Sequence, residues 1–128
     1  MKEIYSEIIL DHWKNPRNKG RIENADIVIE DSNPLCGDKI TFYLDFEKET
    51  IRDVKFEGSG CAISQAAASM LSEIVKGKNI YDIVKLEKDE IEKMLHVSLG
   101  PNRIKCALLP LKALKLGIYS YIGKKYKT

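Results

Sequence analysis

Three cysteines are the residues whose types and spacing could support metal or sulfur chemistry. Cys36 lies in the motif NPLCGD (33–38), Cys61 in GSGCAIS (58–64) and Cys106 in RIKCA (103–107). An odd number of cysteines without a C-x-x-C pair argues against a disulfide framework and against a two-cysteine redox motif. With the carboxylate of Asp38, these three thiols could form a mixed sulfur and oxygen metal site.

The composition excludes several classes of function. With 128 residues, 44% of them hydrophobic and 31% charged, residues 1–128 are expected to form one globular domain. The net charge of +2 gives no general attraction to nucleic acid or to an anionic membrane. No apolar stretch approaches the ~20 residues of a membrane span. The free cysteines, and an N-terminus without a secretory leader, predict a reducing cytoplasm.

Hydrophobic spacing in the first half predicts a helix followed by strands. A helical pattern covers residues 2–13 and ends at Asn15-Pro16. A strand is predicted over 25–31, and the clearest alternation of apolar and polar residues runs over 39–46. A short polar turn joins this strand to a third one over 51–57, which indicates an antiparallel hairpin.

The second half predicts helices. A helix over about 61–76 ends at Gly77, with an apolar stripe from Ile63 to Ile74 and with Gln65, Ser69, Ser72 and Lys76 on the opposite face. Short helices are predicted over 81–86 and 88–97, and a loop over 100–102. The last helix is expected to begin near Cys106, because Pro110 should lie in a first turn, and to continue to about Tyr121.

These predictions place two of the thiols at helix starts. Cys61 and Cys106 would each lie at an N-terminus, where the helix dipole and free N–H groups favour a thiolate. Cys36 lies on a loop that enters the strongest strand. A single cysteine is usually a small buried hydrophobic residue, and spacing alone does not show that the three converge. A shared site and three separate buried thiols therefore both stay open.

The neighbouring residues also allow two interpretations. Asp38 either closes a turn after Gly37 or supplies an oxygen ligand. Lys105 is either a solvated lysine or a cation that favours the thiolate of Cys106. His12 and His96 lie in predicted helices, where packed or surface histidines are commoner than ligands.

At these residues the chain resembles the U-type iron–sulfur cluster assembly scaffolds: IscU, SufU and the N-terminal part of NifU. Residues 5–7, 11–12, 15–18 and 20 resemble the opening signature of that family, and the three cysteine motifs follow in the family's order. The resemblance implies an α+β fold with an N-terminal helix, a three-stranded antiparallel sheet, and helices packed on the sheet. It also implies that Cys36, Asp38, Cys61 and Cys106 meet at one exposed end as ligands.

Members of this family accept sulfur from the persulfide of a cysteine desulfurase, combine it with iron, hold a [2Fe–2S] cluster and pass it to apo acceptor proteins. The same ligands often hold zinc when no cluster is present. The resemblance thus predicts a scaffold rather than an enzyme, working as a monomer or as a cluster-bridged homodimer. We take Cys106 as the persulfide acceptor, because Lys105 and the predicted helix start favour its thiolate.

The chain departs from the family pattern at two places. Lys105 stands where IscU has a histidine, so no histidine ligand is expected there. Residues 99–103 (LGPNR) replace the IscU segment LPPVK, which an Hsp70-type chaperone reads, so chaperone-driven release is not expected. The stretch between Cys61 and Cys106 looks too short for the insertion typical of SufU. A zinc-bound, SufU-like sulfur acceptor is the alternative function, and a structural zinc module is a third, although closed zinc sites usually carry four Cys or His ligands.

Overall fold

The computed structural model describes residues 6–35 and 37–125. Its elements in chain order are helix α1 (Glu7–Lys14), strands β1 (Ile27–Asn33), β2 (Asp38–Glu47) and β3 (Thr50–Ser59), and helices α2 (Ala62–Val75), α3 (Ile80–Ile83), α4 (Lys88–Leu95) and α5 (Pro101–Lys125). This order confirms the predicted α+β fold. Among the described residues, no helix has both the length and the apolarity that a membrane span needs.

The three strands form an antiparallel sheet in the order β1-β2-β3. The predicted alternation on β2 is confirmed, because Ile40, Phe42 and Leu44 are fully buried while the residues between them are partly exposed. On β3, Val54 and Phe56 continue the same inner face. The helices therefore cover one face of the sheet, and the other face carries polar side chains.

Helices α2 and α5 lie on the inner face of the sheet and contact each other. Three successive alanines, residues 66–68, are fully buried in α2, and their small side chains allow close packing. On α5, a Cβ added at Gly117 would lie 2.9 Å from side-chain atoms of both Ile29 and Leu44. The long last helix thus contacts the sheet with almost no space at that position, which fixes its distance from β1 and β2.

The predicted start of the last helix is wrong. Helix α5 begins at Pro101, five residues before Cys106, and Pro110 lies inside it. A proline is well placed at the first helical position, since its missing N–H would have no partner there. Pro110 cannot donate to the carbonyl four residues earlier, that of Cys106, and an interior proline costs a helix about 3 kcal/mol. Packing of α5 against the sheet and α2 offsets that cost.

The predicted outer face of α2 is wrong at its two serines. Ser69 and Ser72 are fully buried, whereas Ile74, which was assigned to the inner stripe, is 37% exposed. The segment between α1 and β1 folds over the serines: the backbone N–H of Arg17 donates to Ser69 Oγ at 2.9 Å, and Asn18 Nδ2 donates to Ser72 Oγ at 3.0 Å. The serines are buried because they bind this segment.

Candidate metal centre

Asp38 lies where the sheet ends. It is the first residue of β2 and pairs with Asn33, the last residue of β1. The end of β3 is beside it, because Lys39 pairs with Ser59. Asp38 is only 1% exposed. Its carboxylate is therefore shielded from solvent.

Cys61 connects β3 to α2. The chain leaves β3 at Ser59, passes through Gly60, and makes Cys61 the N-cap residue of α2, as the sequence predicts. The backbone N–H of Cys61 donates to Asp38 Oδ1 at 2.8 Å, and its Sγ lies 3.6 Å from Asp38 Oδ2. A carboxylate at a helix N-terminus is favoured by the dipole, since the free N–H groups point toward it.

Cys106 lies in the second turn of α5, close to Asp38 and Cys61. Its Sγ lies 3.9 Å from the carbonyl oxygen of Asn102, one turn earlier. Cys106 is 4% exposed and belongs to the hydrophobic core. It does not lie at a helix start, contrary to the sequence prediction. Its position is fixed by the packing of α5.

The ligand atoms of Asp38, Cys61 and Cys106 lie within 4.8 Å of one another. Two thiolates on one zinc ion are at most about 4.6 Å apart, because each Zn–S bond is ~2.3 Å long. The spacing of these atoms therefore fits a single metal ion with little rearrangement. Thiolates suit zinc and iron–sulfur clusters, and a carboxylate is a harder ligand that suits these clusters less well.

Cys36 lies outside the described residues, so its predicted place in the site stays a prediction. Lys105 is exposed and lines a groove of about 350 Å³ between the β1–β2 turn and α5, together with Asn33 and Leu108. His12 is buried and contacts Ser69, and His96 is exposed at the C-cap of α4. Neither histidine belongs to the cluster of possible ligands among the described residues.

A second charged cluster lies on the outer face of the sheet. Glu57 accepts hydrogen bonds from the Tyr43 hydroxyl at 2.7 Å and from Arg21 Nε at 3.0 Å. The hydrogen bond from Tyr43, followed by the one from Arg21, lowers the pKa of Glu57, and the same bond raises the pKa of Tyr43. These groups satisfy one another at the surface and have none of the soft ligands that Cys61 and Cys106 provide.

The sequence did not reveal how closely Gly60 approaches Asp38. A Cβ added at Gly60 would lie 2.2 Å from Asp38 Oδ1. The available signal was the Gly-Ser-Gly segment directly before Cys61. In the structure the first two residues of that segment end β3 beside the start of β2.

Comparisons with known proteins agree with this architecture. A profile of the NifU-like N terminal domain family matches residues 4–128. The zinc-dependent sulfurtransferase SufU of Bacillus subtilis is 40% identical, over 90% of this chain and 89% of that protein. The iron–sulfur cluster assembly scaffold protein IscU 1 of Archaeoglobus fulgidus is 39% identical, over 97% of this chain and 80% of that protein.

Solved structures show the same fold. A protein of Fervidobacterium islandicum AW-1, described as an iron–sulfur cluster assembly scaffold for the SUF system, has a TM-score of 0.81 and 37% identity, with 90% of this chain and 96% of that chain covered. The N-terminal part of a NifU-like protein from Brucella abortus has a TM-score of 0.80, over 94% of this chain and 96% of that chain, but at 24% identity it supports the fold alone.

Alignment lengths bear on the SufU insertion, for which the stretch between Cys61 and Cys106 looks too short. The alignment with the Bacillus protein has 132 positions, more than the 128 residues of this whole chain, although it covers 90% of it. That relative therefore has residues without a counterpart here. The IscU of Thermotoga maritima shows the same excess, with 130 positions over 89% of this chain, so the extra residues do not separate relatives described as sulfurtransferases from those described as scaffolds. The resemblance seen in the motifs is confirmed, and the chain belongs to the NifU-like N terminal domain family, together with the IscU and SufU proteins that it matches.

Proposed function

We propose that this protein is a scaffold on which iron–sulfur clusters are assembled and from which they are transferred to apo acceptor proteins. The observation that carries the proposal is the convergence of Asp38, Cys61 and Cys106, whose ligand atoms lie within 4.8 Å of one another at the end of the sheet. These residues come from three different elements, so the fold itself assembles the ligand set. Three relatives described as IscU scaffolds are 37% to 40% identical to this chain.

The ligand set suits a cluster that must leave again. Cys61 and Cys106 would supply thiolates, and we propose Cys36 as the third thiolate. Asp38 would supply the one oxygen, which binds a cluster more weakly than sulfur does. A set of three thiolates and one carboxylate therefore holds a [2Fe–2S] cluster less firmly than the four thiolates of a ferredoxin. A donor needs that property.

Sulfur would arrive as the terminal sulfur of a persulfide on a cysteine desulfurase. A thiolate of this protein attacks that sulfur, a new S–S bond forms, and the desulfurase cysteine leaves as a thiolate. We retain Cys106 as the proposed acceptor, next to the exposed Lys105. The support from a helix start now applies to Cys61 instead, because Cys61 is the N-cap of α2. Mass spectrometry of Cys106→Ser after incubation with desulfurase and cysteine tests this assignment: unchanged sulfur loading would exclude Cys106 as the acceptor and leave Cys36 and Cys61.

The scaffold function is tested by reconstitution without oxygen. The protein is incubated with ferrous iron, cysteine, a reductant and a cysteine desulfurase, and its visible absorbance is followed. We expect thiolate-to-iron absorption bands to develop and then to decline on addition of an apo-ferredoxin, as the ferredoxin gains its cluster. A protein that forms no cluster, or one that never transfers it, would contradict the proposal.

The alternative function is that of a zinc-bound sulfur acceptor. The observation that favours it is the 40% identity to a protein described as a zinc-dependent sulfurtransferase. In that case the purified protein would be colourless with one zinc per chain, and adding it would raise the turnover of the desulfurase. Zinc removal would abolish that increase, whereas a scaffold would need the zinc to leave before a cluster could form.

The proposed partners are therefore a cysteine desulfurase and apo iron–sulfur proteins, in the cytoplasm. We propose no nucleic-acid or membrane partner, and no Hsp70-type chaperone, because residues 99–103 differ from the IscU chaperone segment. A monomer and a cluster-bridged homodimer differ in mass by a factor of two, so light scattering with and without the cluster distinguishes them.

A further inference from the structure

The two oxygens of Asp38 do different things. Oδ1 accepts the hydrogen bond from the backbone N–H of Cys61 at 2.8 Å, which ties the carboxylate to the start of α2. Oδ2 lies 3.6 Å from Cys61 Sγ. Because Oδ1 is held by the backbone, Oδ2 is directed toward the Cys61 thiol.

Gly60 is the residue that allows this arrangement. Its φ is +119°, a conformation that residues with a side chain rarely adopt, and its Cα faces Asp38 directly. A Cβ at position 60 would lie 2.2 Å from Asp38 Oδ1 and 2.7 Å from Asp38 Cα. Both distances are far below van der Waals contact. Any side chain at position 60 must therefore push the carboxylate away from the N–H of Cys61.

We propose that Gly60 is a positioning residue of the metal site, which sets the orientation of the Asp38 carboxylate and so decides which oxygen reaches the metal. The proposal rests on the proposed function only in taking this cluster as a metal site, and it holds for zinc as well as for a cluster. Asp38, Cys61 and Cys106 can all be present and still bind metal poorly if position 60 carries a Cβ. Residues that orient ligands typically change metal affinity by about 10- to 100-fold.

The test compares Gly60→Ala with Gly77→Ala in the full chain. Gly77 also has a positive φ, +84°, but nothing lies within 4 Å of a Cβ added there, so Gly77→Ala has a left-handed backbone without the contact. Zinc affinity is measured by competition with a chromogenic chelator, and the site is also examined by the absorption spectrum of bound Co²⁺. We expect Gly60→Ala to bind zinc about 10- to 100-fold more weakly than wild type, with an altered Co²⁺ spectrum, and Gly77→Ala to match wild type. Equal zinc affinities and Co²⁺ spectra for the two glycine variants would overturn the proposal.

A second variant, Asp38→Glu, also displaces the carboxylate oxygens and is used if Gly60→Ala does not fold. Asp38→Glu keeps a carboxylate, but its extra methylene group prevents the two oxygens from keeping both present positions. We expect it to weaken zinc binding about as much as Gly60→Ala does, and wild-type affinity in Asp38→Glu would overturn the proposal. In an Asp38→Ala background, adding Gly60→Ala should change zinc affinity much less, because the carboxylate it displaces is gone.

The outcomes also separate this inference from the scaffold function. If wild type binds zinc and the glycine variants behave as expected, but no cluster forms on reconstitution, then the positioning role stands and the scaffold function fails. If clusters form and transfer while Gly60→Ala binds zinc like Gly77→Ala, then the scaffold function stands and the positioning role fails.

Discussion

Helix α2 carries two clusters of polar side chains, one at its start and one in its middle. In the middle, Ser69 Oγ lies 2.7 Å from His12 Nδ1 and 2.9 Å from the backbone N of Arg17, and Ser72 Oγ donates to the carbonyl of Ser69 at 2.6 Å. At the start, the contacts of the Cys61 sulfur with Asp38 Oδ2 and Ser64 Oγ are 3.6 and 3.9 Å long. We call the cluster in the middle of α2 the histidine network and the cluster at its start the sulfur site.

The difference shows how a buried polar group becomes structural or functional. In the histidine network, oxygen and nitrogen atoms meet at ordinary hydrogen-bond distances and connect α1 and the following segment to α2. In the sulfur site, the short bond uses the backbone of Cys61, while the ligand atoms face one another at distances that suit a metal between them. The first arrangement stabilises the fold, and the second holds chemical groups ready for a ligand.

The largest expected effect is the loss of metal binding when a thiol of the sulfur site is removed. Cys61→Ser and Cys106→Ser should each bind zinc at least about 100-fold more weakly than wild type, because losing a ligand costs at least as much as disturbing a supporting residue. Neither variant should hold a cluster after reconstitution. Chelator competition and visible absorbance give the two measurements, and undiminished zinc affinity in either variant would remove that cysteine from the site.

Substitution of Asp38 should separate cluster lifetime from folding. Asp38→Cys would complete a four-thiolate set with Cys36, Cys61 and Cys106, and should hold a cluster longer and transfer it more slowly than wild type. The buried position of Asp38 adds a cost that the sequence did not predict. Without Asp38 Oδ1, the N–H of Cys61 loses its acceptor, so metal-free Asp38→Ala should be less stable by about 1–3 kcal/mol.

The two effects of Asp38 are measured separately. The decay of visible absorbance, with and without an apo acceptor, reports cluster lifetime and transfer, while urea unfolding of metal-free protein reports stability. Identical decay and transfer in wild type and Asp38→Cys would show that Asp38 is not a ligand that controls release. A stability loss in Asp38→Ala with unchanged cluster lifetime would leave Asp38 with only its tie to the start of α2.

In the histidine network, a single hydroxyl should matter for stability and not for metal. Ser69→Ala removes the oxygen that contacts both His12 and the N–H of Arg17, and should lower the free energy of unfolding by about 1–3 kcal/mol. Ser120→Ala is the matched control, because Ser120 is exposed on α5 and its loss should change stability by no more than about 0.5 kcal/mol. Zinc affinity should equal that of wild type in both variants. A large drop in zinc affinity in Ser69→Ala would show that the two clusters on α2 are coupled.

The sequence predicted the order of elements and the inner faces of the strands because the alternation on β2 and β3 is a local pattern that survives folding. The sequence-based prediction failed where burial and helix bounds depend on contacts between residues distant in the chain. The hydroxyls of Ser69 and Ser72 indicate an exposed face until the 15–20 segment is known to cover them. The burial of Asp38 depends on the close approach of Gly60. Pro110 indicated a helix start because the cost of an interior proline is local, whereas the packing that offsets it is not.

The smallest expected effect is a pH dependence of stability that comes from His12. Burial, followed by the charge of Arg17, lowers the pKa of His12 below its ordinary value of 6.5, while Glu73 and Asp11 oppose this shift. Ser69 Oγ accepts from the N–H of Arg17, and its hydroxyl can donate to His12 Nδ1 when that nitrogen carries no proton, as in one tautomer of the neutral imidazole.

Since the unfolded chain binds this proton at higher pH than the folded chain does, the contribution of His12 to stability is complete above pH 6.5 and is lost as the pH falls through the lower folded pKa. We expect the free energy of unfolding of metal-free protein to fall as the pH is lowered through 6.5 and below it. In His12→Asn, which does not titrate but can place an amide near the position of Nδ1, this decline should be smaller. His96→Asn is the control, because His96 is exposed and has φ of +57°, which asparagine tolerates. Urea unfolding at several pH values makes the comparison. An equal decline in wild type and His12→Asn would mean that other groups cause it, and that the histidine network is insensitive to pH in this range.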